Sequence, residues 1–270
     1  VLMSVYHKDT PEHVSAAINS ITERQTLKPT EIILMVDGLV PDSLRQVIEK
    51  ASQKDPTIKP QWQDINQGLG KVLELGLLRC SYDLVARMDA DDIALPIRFE
   101  KQIAFMIDNP DISVSGGQIS EFIDTPDNIV AYRTVPLLPD ECRRYFRDRD
   151  PVNHMTVMFR KSAVLDVGNY QPWHLDEDTY LWGRLLEKNY TIANLPEILV
   201  NVRVGREMYA RRGGWKYFKS DTGILKWKLK HGLTDYNRFI YNYVVRFIVQ
   251  VIMPNKLRSL IFQKLLRKTI

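Results

Sequence analysis

The feature that most restricts the fold is an alternation in the first 110 residues. Short, almost wholly apolar runs end on polar or acidic residues and are followed by segments with helical spacing. Leu2-Met3-Ser4-Val5-Tyr6, Glu31-Ile32-Ile33-Leu34-Met35-Val36 and Asp83-Leu84-Val85-Ala86-Arg87-Met88 read as strands, as does 58–65. Between them, Thr10 is placed to cap a helix with Pro11 in its first turn. Leu44, Val47, Ile48 and Ala51 recur at helical spacing within 41–54, and helices are expected again over 70–80 and 96–108. Strands apolar on both faces belong in a mostly parallel sheet covered by helices. Ligands of such sheets bind at the carboxyl ends of the strands. That rule selects Tyr6-His7-Lys8-Asp9, Asp37-Gly38 and Asp89-Ala90-Asp91-Asp92 for chemistry. Past residue 112 the pattern loosens. Strands are expected over 113–123, 129–133 and 156–160, a helix over 178–189, and helices from 215 onward, interrupted at Gly232 and Pro254.

Three carboxylates within Asp89–Asp92 repel one another unless a cation neutralises them. Hard oxygen ligands at a strand end suit Mg²⁺ or Mn²⁺, which in turn bind phosphate oxygens. The bland reading is an acidic turn before a helix. Asp37-Gly38 is equally a turn. Asn66-Gln67-Gly68 precedes a helix whose N-terminus could face a phosphate or could simply be capped. His174-Leu175-Asp176-Glu177-Asp178 opens another helix, where acids favour the helix dipole or supply a general base on a rigid element.

Taken in order, Ser4-Val5-Tyr6, Val36-Asp37-Gly38, Asn66-Gln67-Gly68, Met88-Asp89-Ala90-Asp91-Asp92 and Glu177-Asp178 resemble the family-2 glycosyltransferases of the GT-A fold. His154-Met155-Thr156-Val157-Met158-Phe159-Arg160-Lys161 and Gly168-Asn169-Tyr170 are similar to the same family. The tail resembles members that build bacterial O-antigen and exopolysaccharide with β-1,3 linkages. The resemblance implies an α/β fold, Rossmann-like, with a mostly parallel sheet flanked by helices. It implies Asp37 against the uracil of a UDP-sugar, Asp89 against the ribose or uridine and also near the metal, and Asp91 as ligand of a Mn²⁺ or Mg²⁺ ion. Asp92 would help place the donor sugar, and Asp178 would be the catalytic base with Glu177 beside it. Ser4, Tyr6, Asn66, Gly68, Arg87 and His154 join the donor-binding group on the same grounds. Many relatives carry two consecutive acids where this chain has Asp37-Gly38. The Gln-x-x-Arg-Trp motif of processive synthases is absent, which points to transfer of a single sugar. Two other readings stand beside this one. Asp89-Ala90-Asp91 also resembles the nucleophile motif of Mg²⁺-dependent phosphatases of the haloacid-dehalogenase type, although Ile93 stands where that family has Thr or Val. A catalytically silent membrane adaptor with the same fold is the other.

Charge divides the chain of 270 residues. From Arg203 onward there are 16 Lys+Arg and 3 Asp+Glu, against 21 and 30 before it. An acidic body with a basic tail calls for an anionic partner. The run 239–253 is too short to span a bilayer, which takes about 20 apolar residues. Asn242, Arg246 and Gln250 form one polar stripe on it, and Leu257, Leu260, Ile261 and Leu265 form an apolar one further on. These features predict helices lying on an anionic membrane surface, with packing of the same helices on the body as the rival. No nucleic-acid module accompanies the charge. The expected organisation is a catalytic domain over 1–202, with a nucleotide-sugar half (1–110) and an acceptor half (111–202), and a basic amphipathic helical extension over 203–270. The two cysteines, Cys80 and Cys142, are too few for a disulfide framework, so a reducing compartment is expected. Val1 falls inside an apolar run with no basic segment before it. No signal peptide is read there, and a trimmed start fits. The expected location is the inner face of the bacterial cytoplasmic membrane, with a lipid-linked saccharide as acceptor.

Overall fold

A computed structural model describes residues 1–205 and 213–254 and the backbone of 268–269. The first half is the expected parallel unit. Strands β1 (Leu2–Tyr6), β2 (Ile32–Asp37), β3 (Ile58–Trp62) and β4 (Leu84–Met88) lie in the order β3-β2-β1-β4, all parallel. Their continuous apolarity is explained by the two faces. Leu2, Ile33 and Met35 pack against Val72, Leu73 and Leu77 of helix α3 (Leu69–Arg79). Met3, Val5, Ile32, Leu34 and Val36 pack against α1 (Pro11–Ile21), α2 (Asp42–Lys54) and α4 (Arg98–Asp108). Each fully buried aliphatic side chain stabilises the fold by about 1.5–3 kcal/mol. Thr10 caps α1 as its position predicts, its hydroxyl accepting from the His13 N–H at 3.4 Å.

The second half is mixed. After the two-residue β5 (Ile93–Ala94) comes the long β6 (Ile112–Phe122), then β7 (Ile129–Arg133), α5 (Pro139–Tyr145), a 3₁₀ turn (His154–Thr156), β8 (Met158–Arg160), α6 (Lys161–Asp166) and α7 (Glu177–Glu187). β8 lies antiparallel between β4 and β6 and so joins the halves into one sheet. A further strand, β9 (Thr191–Arg203), runs parallel along β6 with register shifts and also pairs with β5. No strand was expected there. Pro196 and Glu197 interrupt its apolar run, and a bulged strand hides its alternation. β10 (Lys268–Thr269) pairs antiparallel with β7.

The C-terminal helices α8 (Trp215–Lys230) and α9 (Tyr236–Phe247), ending in one π-helical turn (Ile248–Ile252), pack on the catalytic body. The polar stripe at Asn242, Arg246 and Gln250 faces inward, as the packing alternative requires. Asn242 Nδ2 donates to Asp148 Oδ1 at 2.7 Å, Arg246 Nη2 to the Asp148 carbonyl at 2.9 Å, and Gln250 Nε2 to Asp221 Oδ2 at 2.5 Å. Arg246 is also ion-paired with Asp221. The expected stripe at Leu257, Leu260, Ile261 and Leu265 lies outside the described residues, as do residues 206–212. Helix α7 admits α8 closely because it has a glycine at the contact. A Cβ at Gly183 would stand 2.5 Å from Trp227 Cζ3. Gly183→Val is therefore expected to destabilise the protein by about 1–3 kcal/mol. Denaturant titration measures this, and unchanged stability would contradict the packing of the tail on α7.

Candidate active site

Every element of the site arrives at the carboxyl end of the parallel strands. β2 ends at Asp37, which is buried, and the chain turns at Gly38 with φ +86°. Asp37 Oδ1 accepts from the Gln67 N–H at 2.7 Å, and Oδ2 from the Gly68 N–H at 2.9 Å. Asn66 Nδ2 donates to the Asp37 carbonyl at 3.0 Å. The carboxylate thus holds the loop that opens α3, a contact sequence reading did not give it. A Cβ at position 38 would lie 2.6 Å from the Asn66 nitrogen. Only glycine combines this left-handed conformation with so close an approach. Ser4 lies half-buried in β1, and Tyr6 at its end donates its N–H to Asp9 Oδ2 at 2.8 Å.

β4 delivers the acidic cluster. Arg87, expected to contact the donor, is only 2% exposed, and its guanidinium is ion-paired with Asp89. It lies beneath the site rather than in it. Asp92 is likewise buried, and its Oδ1 accepts the Arg203 N–H at 2.9 Å. It fastens β9 to the cluster. Arg203 also donates from Nε to the Asp91 carbonyl at 3.2 Å. Burial, with Asp89 close by, pushes Asp91 up to about 6. Burial, with Asp91 and Asp89 facing it, pushes Asp9 up to about 7. Burial and the same two carboxylates raise Asp92 well above the usual range. Burial first, and mutual repulsion second, thus oppose full ionisation of the cluster.

Asp178 and Glu177 open α7, and the Glu177 side chain lies against Gly70 at the start of α3. Burial raises Asp178 to about 8, with Asp150 and Glu177 adding repulsion. Its Oδ1 accepts the Thr179 N–H at 2.8 Å, and its Oδ2 is 3.7 Å from His154 Nδ1. His154 was grouped with the donor residues, yet it stands beside the expected base. Burial and the Arg87 charge hold it well below its ordinary pKa, so it is neutral. Its Nε2 lies 3.0 Å from the Tyr170 hydroxyl. If that hydroxyl donates to Nε2, the imidazole proton sits on Nδ1 and points at Asp178. One buried guanidinium links the two sides. The Arg87 charge favours ionisation of Asp91, Asp92, Glu177 and Asp178 alike.

The structure thus brings Tyr6, Asp37, Asn66, Gly68, Asp89, Asp91, Glu177 and Asp178 to one end of the sheet. Sequence reading gave no role to Asp150, Tyr170 or Arg203. Asp150 sits in the run Arg147-Asp148-Arg149-Asp150, which looks like any charged surface loop. Among the described residues no three His, Cys, Asp or Glu side chains are grouped as a ready-made metal cage.

Residues 1–166 match glycosyl transferase family 2. That span includes Asp89 and Asp91, on which the phosphatase reading rested. A UDP-Gal:alpha-D-GlcNAc-diphosphoundecaprenol beta-1,3-galactosyltransferase of Escherichia coli is 34% identical over 99% of this chain and 96% of its own. Among solved structures, S. aureus TarS 1-349 in complex with UDP-GlcNAc has a TM-score of 0.67 at 16% identity, over 92% of this chain and 72% of that one. The mannosyltransferase PcManGT of Pyrobaculum calidifontis, in complex with GDP-Man and Mn2+, has a TM-score of 0.64 at 11% identity, over 95% and 71%. The two structures show the shared fold, a curled sheet flanked by helices. With its strand-end acids and the family match over most of its length, the chain belongs to glycosyl transferase family 2.

Proposed function

We propose that the protein transfers one hexose from a UDP-sugar to a lipid-diphosphate-linked saccharide, with inversion at the anomeric carbon, in the building of a bacterial surface polysaccharide. The observation that carries this reading is the pairing of two acidic groups at one sheet end: Asp89 and Asp91 after β4, and Asp178 at the start of α7. The E. coli relative's donor and acceptor, and the UDP-GlcNAc bound to TarS, support the choice of substrates.

The donor side works by position. The 66–68 loop, held by Asp37, presents the N-terminus of α3 toward the diphosphate. Each Asp37 oxygen keeps one lone pair for the uracil N–H. Tyr6 lies at the same strand end, with Ser4 two residues earlier in β1. Asp91, with Asp89 beside it, would hold a divalent cation. The residues fit one, because their crowding is relieved by positive charge, and Mg²⁺-type sites need only one or two carboxylates when phosphates complete them. The bound PcManGT structure, which contains Mn2+, supports the same reading. Such an ion supplies neutralisation of the charge that grows on the departing diphosphate.

On the acceptor side, Asp178 takes the proton of the attacking hydroxyl. His154 orients the carboxylate, and Glu177 stands next to it. One base and one displacement convert an α-linked donor into a β-glycoside. The base is effective only when ionised, and its pKa is raised to about 8 by burial. The rate of transfer is therefore expected to climb with pH up to about 8. A rate that is flat or falling between about pH 6 and 8 would contradict that assignment. A thermal-shift screen of nucleotide sugars with Mn²⁺ tests the reading as a whole. A UDP-sugar at 100 times its dissociation constant is expected to add about 2.7 kcal/mol of stability. If no UDP-sugar stabilises the protein, the donor assignment is wrong.

A further inference from the structure

Helix α9 and the π-turn that follows it are amphipathic in reverse. Their polar stripe is turned toward the protein and bonded there: Asn242 to Asp148, Arg246 to Asp148 and Asp221, Gln250 to Asp221. Arg238 Nε adds a further bond to Asp148 Oδ1 at 2.7 Å. These contacts fix the rotation of the helix. The apolar residues are therefore left facing outward: Ile240, Tyr241, Val244, Val245, Ile248 and Ile252, with Tyr241 61% and Ile252 62% exposed. An apolar face of this extent is not left to water without a partner. No helix among the described residues is long and apolar enough to cross a membrane.

Charge and residue type identify the partner. Trp215, itself exposed, adjoins this face, its ring centroid 6.0 Å from that of Phe247. Lys219 lies one turn further along α8, and Lys216 is next to Trp215; both are exposed. Within residues 213–254 the only acids are Asp221, buried and ion-paired, and Asp235, which caps α9 by accepting the Arg238 N–H. Tyrosine and tryptophan at the edge of an apolar face, with lysines nearby and almost no exposed acid, suit the headgroup region of an anionic bilayer. A second copy of the chain would bring like charges together. The segment 255–270, with five basic and no acidic residues, would do the same.

We propose that the outward face of Tyr236–Ile252, rimmed by Trp215 and the lysines of α8, docks the protein onto an anionic lipid surface. This rests on the reading that the acceptor is lipid-linked, and it joins the two readings that the sequence left open: the stripe at Asn242, Arg246 and Gln250 packs on the body while the opposite face meets lipid. Docking in this way sets α7, and with it Asp178, at a fixed height over the surface that carries the acceptor.

The test is co-sedimentation of the full chain with phosphatidylcholine vesicles, with and without phosphatidylglycerol, at low and high salt. Transfer to a water-soluble acceptor analogue is measured in parallel. Binding is expected to require phosphatidylglycerol and to weaken with salt. The triple variant Tyr241→Ser, Val244→Ser, Ile248→Ser is expected to lose at least about tenfold in vesicle binding while transfer to the soluble acceptor stays unchanged. Should that variant fail to fold, Val244→Trp answers the same question and is expected to bind vesicles more tightly. Absence of binding to phosphatidylglycerol vesicles at low salt would overturn the proposal. So would unchanged binding in both variants, or a concentration-dependent dimer that the triple variant abolishes. Vesicle binding with no sugar transfer at all would instead count against the glycosyl-transfer reading and leave the docking face standing.

Discussion

Asp178→Asn is expected to slow transfer by at least about 100-fold while leaving affinity for the UDP-sugar within a few-fold of the native protein. The amide keeps the shape of the side chain and its bond to the Thr179 N–H at 2.8 Å, but it cannot accept a proton. The donor-side groups are untouched, since Asp37, Asp89 and Asp91 come from β2 and β4 and Asp178 from α7. Burial and repulsion already oppose ionisation of Asp178, so a neutral amide suits the same position. Stability is therefore expected to hold or rise slightly, so a loss of rate cannot be put down to unfolding. Stopped-assay rates and calorimetric donor binding, taken together, check this. A rate within a few-fold of native would move the base to Glu177 or Asp176.

Asp91→Ala is expected to abolish the divalent-ion dependence of UDP binding. Asp91 stands exposed beside Asp89, whose charge helps raise it, and a cation bound there would relieve that repulsion. Asp89 is already paired with Arg87, so it is a poor substitute as principal ligand. Titration of UDP with and without Mn²⁺ reads the effect directly. Native protein should bind more tightly with the ion, and the variant should bind equally with or without it. A variant that kept the full ion-dependent gain would place the metal elsewhere.

The parts of this fold that could be read from sequence were those where local chemistry and burial agree. Ile33, Leu34, Met35 and Val36 are apolar in succession because helices cover both faces of β2, and Asp37 after them marks the strand end at which ligands bind. What depended on distant partners could not be read. Nothing local shows that both oxygens of Asp37 are bonded to residues 67 and 68, or that Asp92 is held by Arg203, 111 positions away. The family resemblance placed Arg87 among the donor contacts. Strand alternation instead turns it inward, where its charge serves Asp89 and α7. His154 belongs with Asp178 only because the 3₁₀ turn at 154–156 meets the start of α7. The polar stripe at Asn242, Arg246 and Gln250 left the direction of the helix open. Polar residues on a helix face usually meet water, but here Asp148 and Asp221 supply buried partners. β9 was hidden by Pro196 and by bulges along its pairing with β6.

In the proposed reaction, two carboxylate groups at one sheet end carry out an inverting sugar transfer. The most direct measurement is to incubate the protein with Mn²⁺, each of a panel of UDP-sugars and a GlcNAc-diphosphate-lipid analogue, then determine the anomeric configuration of any product by NMR. UDP release with one donor and a β-linked disaccharide from an α-linked sugar nucleotide are expected. An α-linked product, or an intact acceptor with every UDP-sugar, would contradict the proposed reaction.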